Sequence, residues 1–220
     1  MFACQLAKHV FRAGKVITTV STAKIPKLKE LLGENTIDEG KFLLMHCSII
    51  CALSNNCSVI DYTKSDPRDV IEHGSVDFLF DTVGLSMDLL CLMRPGSSRI
   101  VSVSTLPSGN QLQTSSLLKL PHKPTIPFPF RMGLNLLDGI RRLRANRYHT
   151  EYSYMVLESS GKDLDELKQY VEDGGLRTVV GTKVDLRDIE EVRKACGVVY
   201  SGRGGVGKLV INVAQPEGSS

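Results

Sequence analysis

The 220-residue chain is 42% hydrophobic and 23% charged, with 27 basic against 24 acidic residues and a formal net charge of +3. Such usage supports one large core or two small ones, and 19 Gly with only 9 Pro exclude collagen-like and disordered classes. The charge is too small to argue for nucleic acid, and the cysteines at 4, 47, 51, 57, 91 and 196 lack disulfide-framework spacing, which points to reduced thiols.

In chain order, short apolar runs alternate with helical patterns. Val16 to Val20 is β-branched and predicts a strand. Ile25 to Leu32 places Leu28, Leu31 and Leu32 at helical spacing, with Gly33 as the residue that ends the helix. Val59 to Tyr62 predicts a second strand. Asp66-Pro67 opens a helix that runs to about His73 and stops at Gly74. Val76 to Phe80 predicts a strand, Leu85 to Met93 a helix, and Arg99 to Val103 a further strand. Strands separated by helical segments predict a parallel sheet with crossover helices.

Beyond Ser104 the texture changes. Thr105 to Pro129 reads as loop, and Arg131 to Ala145 as a basic amphipathic helix. Met132, Leu136, Ile140 and Leu143 line one face of it, while Arg141, Arg142, Arg144 and Arg147 read as a solvated face, with phosphate contact as the weaker alternative. The last third predicts strand Tyr152 to Leu157, helix Leu164 to Glu172, strand Thr178 to Val184, helix Ile189 to Cys196 and strand Leu209 to Val213, then a polar tail from Gln215.

Two patterns suggest chemistry they do not support well. Gly202-Arg-Gly204-Gly205-Val-Gly207 satisfies GxGxxG, and with Lys208 nearly completes a phosphate loop. Both motifs require a helix to follow, because its N-terminus binds the anion; here a strand-like LVINV follows, and a glycine-rich turn is the better account. His46, Cys47, Cys51 and Cys57 lack a CxxC pair, so a metal reading is weak. Phe42 to Leu53 is apolar but much shorter than a spanning helix. The first strand's end is more informative. An acid at that place in a dinucleotide fold binds the 2′-hydroxyl of NAD, whereas basic and hydroxyl groups admit the 2′-phosphate of NADP. Here Ser21, Thr22 and Lys24 stand there with no acid; an N-capping Ser beside an exposed Lys is the equal alternative.

The ordered set LAKH…GKVITTVSTAK, VIDYTKSDPRDVI, VDFLFDTVG, RIVSVST and VVGTKVDLRDIEEVRKACGVVYSGRGGVGKLVINV resembles the NADP-dependent medium-chain dehydrogenase/reductases. The likeness is greatest to their zinc-free quinone-oxidoreductase-like branch, often labelled zinc-binding dehydrogenases. The resemblance implies an α/β Rossmann-type doubly wound parallel sheet lacking its first strand and glycine-rich turn, plus the C-terminal part of a GroES-like catalytic domain. The divisions expected are 1–145 for the dinucleotide-binding domain, 146–214 for the catalytic part and 215–220 for the tail. It further implies that NADP(H) is held with its 2′-phosphate on Ser21, Thr22 and Lys24 and its adenosine against Tyr62. Asp81, Thr82, Val83 and Gly84 would form the floor, and Ser102, Ser104, Phe128 and Phe130 would approach the nicotinamide. No metal site and no catalytic residue are implied.

The activity so implied is hydride transfer to a quinone, enone or carbonyl compound, impaired in this chain; the rival reading is a non-enzymatic remnant or partner-binding fragment. A phosphate-loop hydrolase is the weaker rival. A small-molecule substrate is expected, with no nucleic acid and no membrane, and with a homodimer left open. A cytoplasmic location is expected; the basic stretch before Glu30 leaves a mitochondrial one open. Gly40 to Ser58 reads as an insertion, a translated intron, because helix-to-strand connections usually run about 2–6 residues. It is expected to be peripheral and weakly packed, so that its deletion would raise stability.

Overall fold

The computed structural model describes residues 2–20, 49–52, 57–61, 65–115, 125–201 and 207–213. Strands β1 (Lys15–Val20), β2 (Ile49–Ala52), β3 (Cys57–Asp61), β4 (Phe78–Asp81), β5 (Ser98–Ser102) and β6 (Thr150–Tyr154) form one sheet, in the order β3-β1-β2-β4-β5-β6. A second sheet pairs β7 (Val180–Asp185) with β8 (Lys208–Asn212) in parallel. The helices are α1 (Phe2–Gln5), continued by a π-turn over Leu6–Val10, α2 (Pro67–Val70), α3 (Gly109–Thr114), α4 (Phe128–Arg147), α5 (Gly161–Glu172) and α6 (Ile189–Tyr200).

The apolar periodicity accounts for this arrangement. Ile17, Ile60, Leu79, Ile100 and Tyr152 sit in neighbouring strands and are buried together with Val76, Leu90, Leu92, Met93 and Ala145. Burying side chains of this size stabilises each by about 1.5–3 kcal/mol relative to exposure, so this cluster is the centre of the fold. A buried polar pair ties β5 to β6: the Ser98 hydroxyl lies 2.9 Å from that of Thr150. Gln5, also buried, accepts from the Arg177 backbone N–H at 2.7 Å and donates to its carbonyl at 3.1 Å, which fastens α1 to the segment before β7.

Several elements differ from the sequence reading. The segment Gly40 to Ser58 is not peripheral throughout. Ile49–Ala52 is a central strand, antiparallel to both β1 and β4, and Cys57 and Ser58 open β3. Register shows how the run sits there: a four-residue strand with a partner strand on each side has its backbone hydrogen-bonding groups paired. Leu85 to Met93 is two 3₁₀ turns, Ser86–Asp88 and Leu90–Leu92, because the chain must descend quickly from β4 to the Val76–Met93 bridge. The helix after Asp66 ends at Val70, and the stretch read as loop contains α3. The helix expected at Ile25 to Leu32 lies outside the described residues.

The largest reversal concerns α4. Leu134, Asp138 and Ala145 are its buried positions, whereas Met132, Leu136, Ile140 and Leu143 are 50%, 66%, 47% and 57% exposed. The arginines are not a purely solvated face either. Arg141 donates to the Leu106 carbonyl, Arg144 to that of Met87, and Arg142 to buried Asp138 at 2.7 Å. Long cationic side chains here bridge the helix to neighbouring loops while apolar ones face out. β6, placed by the sequence reading beyond the first division at 145, belongs to the main sheet.

Candidate functional site

β1, β3, β4, β5 and β6 all run in one direction, so Val20, Asp61, Asp81, Ser102 and Tyr154 end along a common edge. In open α/β sheets that carboxyl edge is where ligands bind. α4 packs on β6 and returns to it through a short turn, so its first residues, Phe128 and Phe130, stand at the same edge.

Asp81 organises the edge. Its side chain is fully buried, and Oδ1 accepts the backbone N–H groups of Gly84 at 2.7 Å, Val83 at 3.0 Å and Leu85 at 3.3 Å. Oδ2 accepts the Ser86 N–H at 3.3 Å and the Ser102 hydroxyl at 3.2 Å. Four successive backbone donors wrapped on one carboxylate fold residues 82–86 into a tight turn, and Gly84 completes it at φ +92°, a conformation costly for any residue with a Cβ.

A carboxylate is only an acceptor, so the chain of hydroxyls beyond it has a fixed direction. Ser102 donates to Asp81 and accepts from Thr105, through Oγ1 at 3.2 Å and the backbone N–H at 3.4 Å. Thr105 Oγ1 is 2.8 Å from the Tyr152 hydroxyl, which therefore donates to it. The ends of β4, β5 and β6 are thus joined by one directed network. Gln111 adds a second tie: it completes a capping box with Ser108 and donates to the Tyr154 carbonyl at 3.3 Å.

Among the residues named from sequence, Asp81 and Ser102 have no exposed surface and shape the edge from within. Thr82 and Val83 are half-buried, Gly84 and Ser104 exposed. Phe128 and Phe130, 65% and 60% exposed, belong to the first turn of α4, with the Arg131 guanidinium 5.8 Å from the Phe128 ring centre. Ser21, Thr22, Lys24 and Tyr62 lie outside the described residues. Sequence reasoning missed Thr105, Gln111 and Tyr152. The Ser108–Gln111 pair carried a legible capping signal, while the Thr105–Tyr152 contact joins residues 47 apart and had none.

The other motifs gain nothing from the structure. Gly207 leads directly into strand β8, so the helix that a phosphate loop needs is replaced by a strand. Cys51 and Cys57 both register with Val16 from opposite sides of β1, which sets them two strands, about 10 Å, apart. Shifted titrations also lie elsewhere. Hydrogen bonds from Arg187 hold the Asp185 carboxyl well below its usual range, and Arg68 does the same for Asp66. A surface concavity beside Asp185, Arg187 and Glu190 is lined by such ion pairs and not by the carboxyl edge.

Comparison with known proteins decides the family. The profile of the zinc-binding dehydrogenases matches residues 57–211, more than half of the chain. The chain belongs to the zinc-binding dehydrogenase family. No curated protein matches it. Among solved structures it is similar to the quinone oxidoreductase from Coxiella burnetii, with 23% identity and a TM-score of 0.56 over 97% of this chain and 49% of that one. The chain therefore spans about half the length of that structure, and the likeness carries the fold: a Rossmann-like α/β sheet. Membership of this dehydrogenase family points to an oxidoreductase. Among the described residues no group of three or more His, Cys, Asp or Glu is placed to hold a metal ion, and His46 and Cys47 lie outside them. Among them, too, no helix is long and apolar enough to cross a membrane.

Proposed function

We propose that this dehydrogenase takes NADP(H) along the carboxyl edge of its main sheet, and that its parent activity is hydride transfer to a quinone, enone or carbonyl compound. The observation that supports the reading is the Asp81 turn: it ends β4 at the carboxyl edge in a compact loop that brings Gly84 next to Ser104. Ser21, Thr22 and Lys24 would hold the 2′-phosphate, and Tyr62 would lie against the adenosine. On the other side Ser104 and the exposed rings of Phe128 and Phe130 offer a hydroxyl and flat apolar surface to the nicotinamide. The nicotinamide, when bound, supplies the hydride; the protein's part is placement and exclusion of water. No metal enters this scheme. A small-molecule acceptor and a homodimer belong to the same reading.

The test is calorimetric titration of the wild type and Lys24→Ala with NADPH and NADH. A charge-assisted contact to phosphate is worth about 1.5–3 kcal/mol, so NADPH should bind one to two decades more tightly, and Lys24→Ala should erase most of that gap. Equal wild-type affinities would remove the assignment. Turnover of NADPH with quinones and enones by this chain is expected to be weak; vigorous turnover would overturn the impaired state.

A further inference from the structure

The central strand β2 bears on how such a cofactor can be held, and the argument rests on the reading just given. Doubly wound dinucleotide sheets have the strand order 3-2-1-4-5-6, and the first strand carries the glycine-rich turn whose following helix receives the pyrophosphate. With β2 set aside, the present order β3-β1-[slot]-β4-β5-β6 leaves that first-strand position between β1 and β4. The slot is occupied, but in the opposite direction. Ile49 registers with Thr18 and Phe80, Ile50 with Ile17 and Leu79, Cys51 with Val16 and Phe78, and Ala52 with Lys15.

Direction has a chemical consequence. At the carboxyl edge, β2 begins where a parallel strand would end. β2 starts there at Ile49 and ends at Ala52 on the far edge, and β3 begins at Cys57, five residues later. A strand-to-helix turn at the slot, with N–H groups aimed outward at a phosphate, needs the chain to leave at the carboxyl edge. The neighbouring donors are committed too: the N–H groups of Val83, Gly84, Leu85 and Ser86 all point inward to Asp81. The buried Thr18 hydroxyl, beside Ile49 in register, has no hydrogen-bond partner.

We infer that Ile49–Ala52 occupies the place of the phosphate-bearing strand, so that this chain recognises the two ends of a dinucleotide without a grip on its pyrophosphate. The slot is a site for a strand, filled from within the chain by one of reversed direction.

Two measurements test this on the full chain. Calorimetry compares 2′-phospho-ADP-ribose, which keeps the pyrophosphate and lacks the nicotinamide, with adenosine 2′-phosphate, which lacks the pyrophosphate altogether. The first should bind within about threefold of the second; a larger gain would overturn the inference. Separately, Lys15→Cys with Ala52→Cys places cysteines at opposed antiparallel positions, and oxidation followed by peptide mass spectrometry should find the 15–52 disulfide. Failure to form it, in a variant that melts like the wild type, would overturn the slot assignment. If neither nucleotide binds while the 15–52 disulfide forms, the strand placement stands and the cofactor reading of the edge falls.

Discussion

Replacing Asp81 tests the organisation of the edge most directly. In Asp81→Ala five donors lose their acceptor: the N–H groups of Val83, Gly84, Leu85 and Ser86, and the Ser102 hydroxyl. Hydrogen bonds to a charged group are worth about 1.5–3 kcal/mol each when short, as those at 2.7 and 3.0 Å are. The three longer contacts add roughly 0.5 kcal/mol each, and the turn can recover some donors to water, so the net loss is about 4 kcal/mol. For a chain of this length that lowers Tm by about 8–16 °C. Asp81→Asn separates charge from geometry. Its carbonyl oxygen can keep the three contacts of Oδ1, while its amide faces two donors, the Ser86 N–H at 3.3 Å and the Ser102 hydroxyl at 3.2 Å, and Ser102 must turn its proton elsewhere. The expected cost is about 1–2 kcal/mol, or roughly 2–8 °C. The assay is thermal unfolding followed by circular dichroism, with urea titration as the second probe. An alanine variant melting within about 3 °C of the wild type, or no more affected than the asparagine variant, would refute the claim that this carboxylate holds the turn.

Three further outcomes follow from other contacts. Gly109→Ala should cost about 1–3 kcal/mol in urea unfolding, because the new Cβ would lie 2.4 Å from the Arg131 carbonyl oxygen and 2.7 Å from its Cα, and helix backbone has little room to yield; an unchanged midpoint would show that α3 does not press on α4. Deleting residues 40–58 should lower Tm, reversing the expectation from sequence, since it removes β2 and the first two residues of β3; a deletion variant that melts higher would return the segment to the periphery. Asp66, whose carboxyl is held below its ordinary value first by the Arg68 side chain, should add stability above about pH 4 and lose it as pH falls through its lowered folded-state value. With the pair substantially exposed the effect is small, and Asp66→Asn should flatten that acid limb of the stability profile; an identical limb in the variant would count against it.

How far the sequence was readable depends on the range of each interaction. β1 followed from a β-branched run, β4 and β5 from short apolar runs, and the Asp66-Pro67 start from local capping chemistry, because these signals lie within a few residues. The face of α4 did not follow. Its apolar spacing is real, but burial was decided by packing against β6 and α3, which takes Leu134, Asp138 and Ala145 inward, lets Gly109 approach Arg131 closely and has Asn135 accept from the Asn110 N–H. β2 was unreadable for a related reason. An apolar run of four residues fits a strand or a helix equally, and only the empty position between two distant strands selects the strand. Of the site, the Asp81–Gly84 turn was visible as a pattern, but its role was not: an acid at a strand end can serve a ligand or its own loop, and five donors make it the latter.

The edge has two halves, and within the sheet β2 joins them. On one side the Asp81–Ser102–Thr105–Tyr152 network joins β4, β5 and β6 through groups whose donor and acceptor roles are all determined. On the other, β1 pairs with β3 over five positions. Between them β1 and β4 do not pair at all; within the sheet they are joined through β2, by four registered positions with β1 and three with β4. In the proposed placement, the distance between an adenosine near the end of β1 and a nicotinamide near β5 would be set by a strand of four residues. A ligand that bridges both halves must stabilise β2 by mass action, whereas one that touches a single half leaves its opening unchanged. Protection of the Ile49–Ala52 amides against hydrogen exchange should thus rise with NADPH and stay level with adenosine 2′,5′-bisphosphate. The same rise with both nucleotides would mean that the two halves are already one rigid edge.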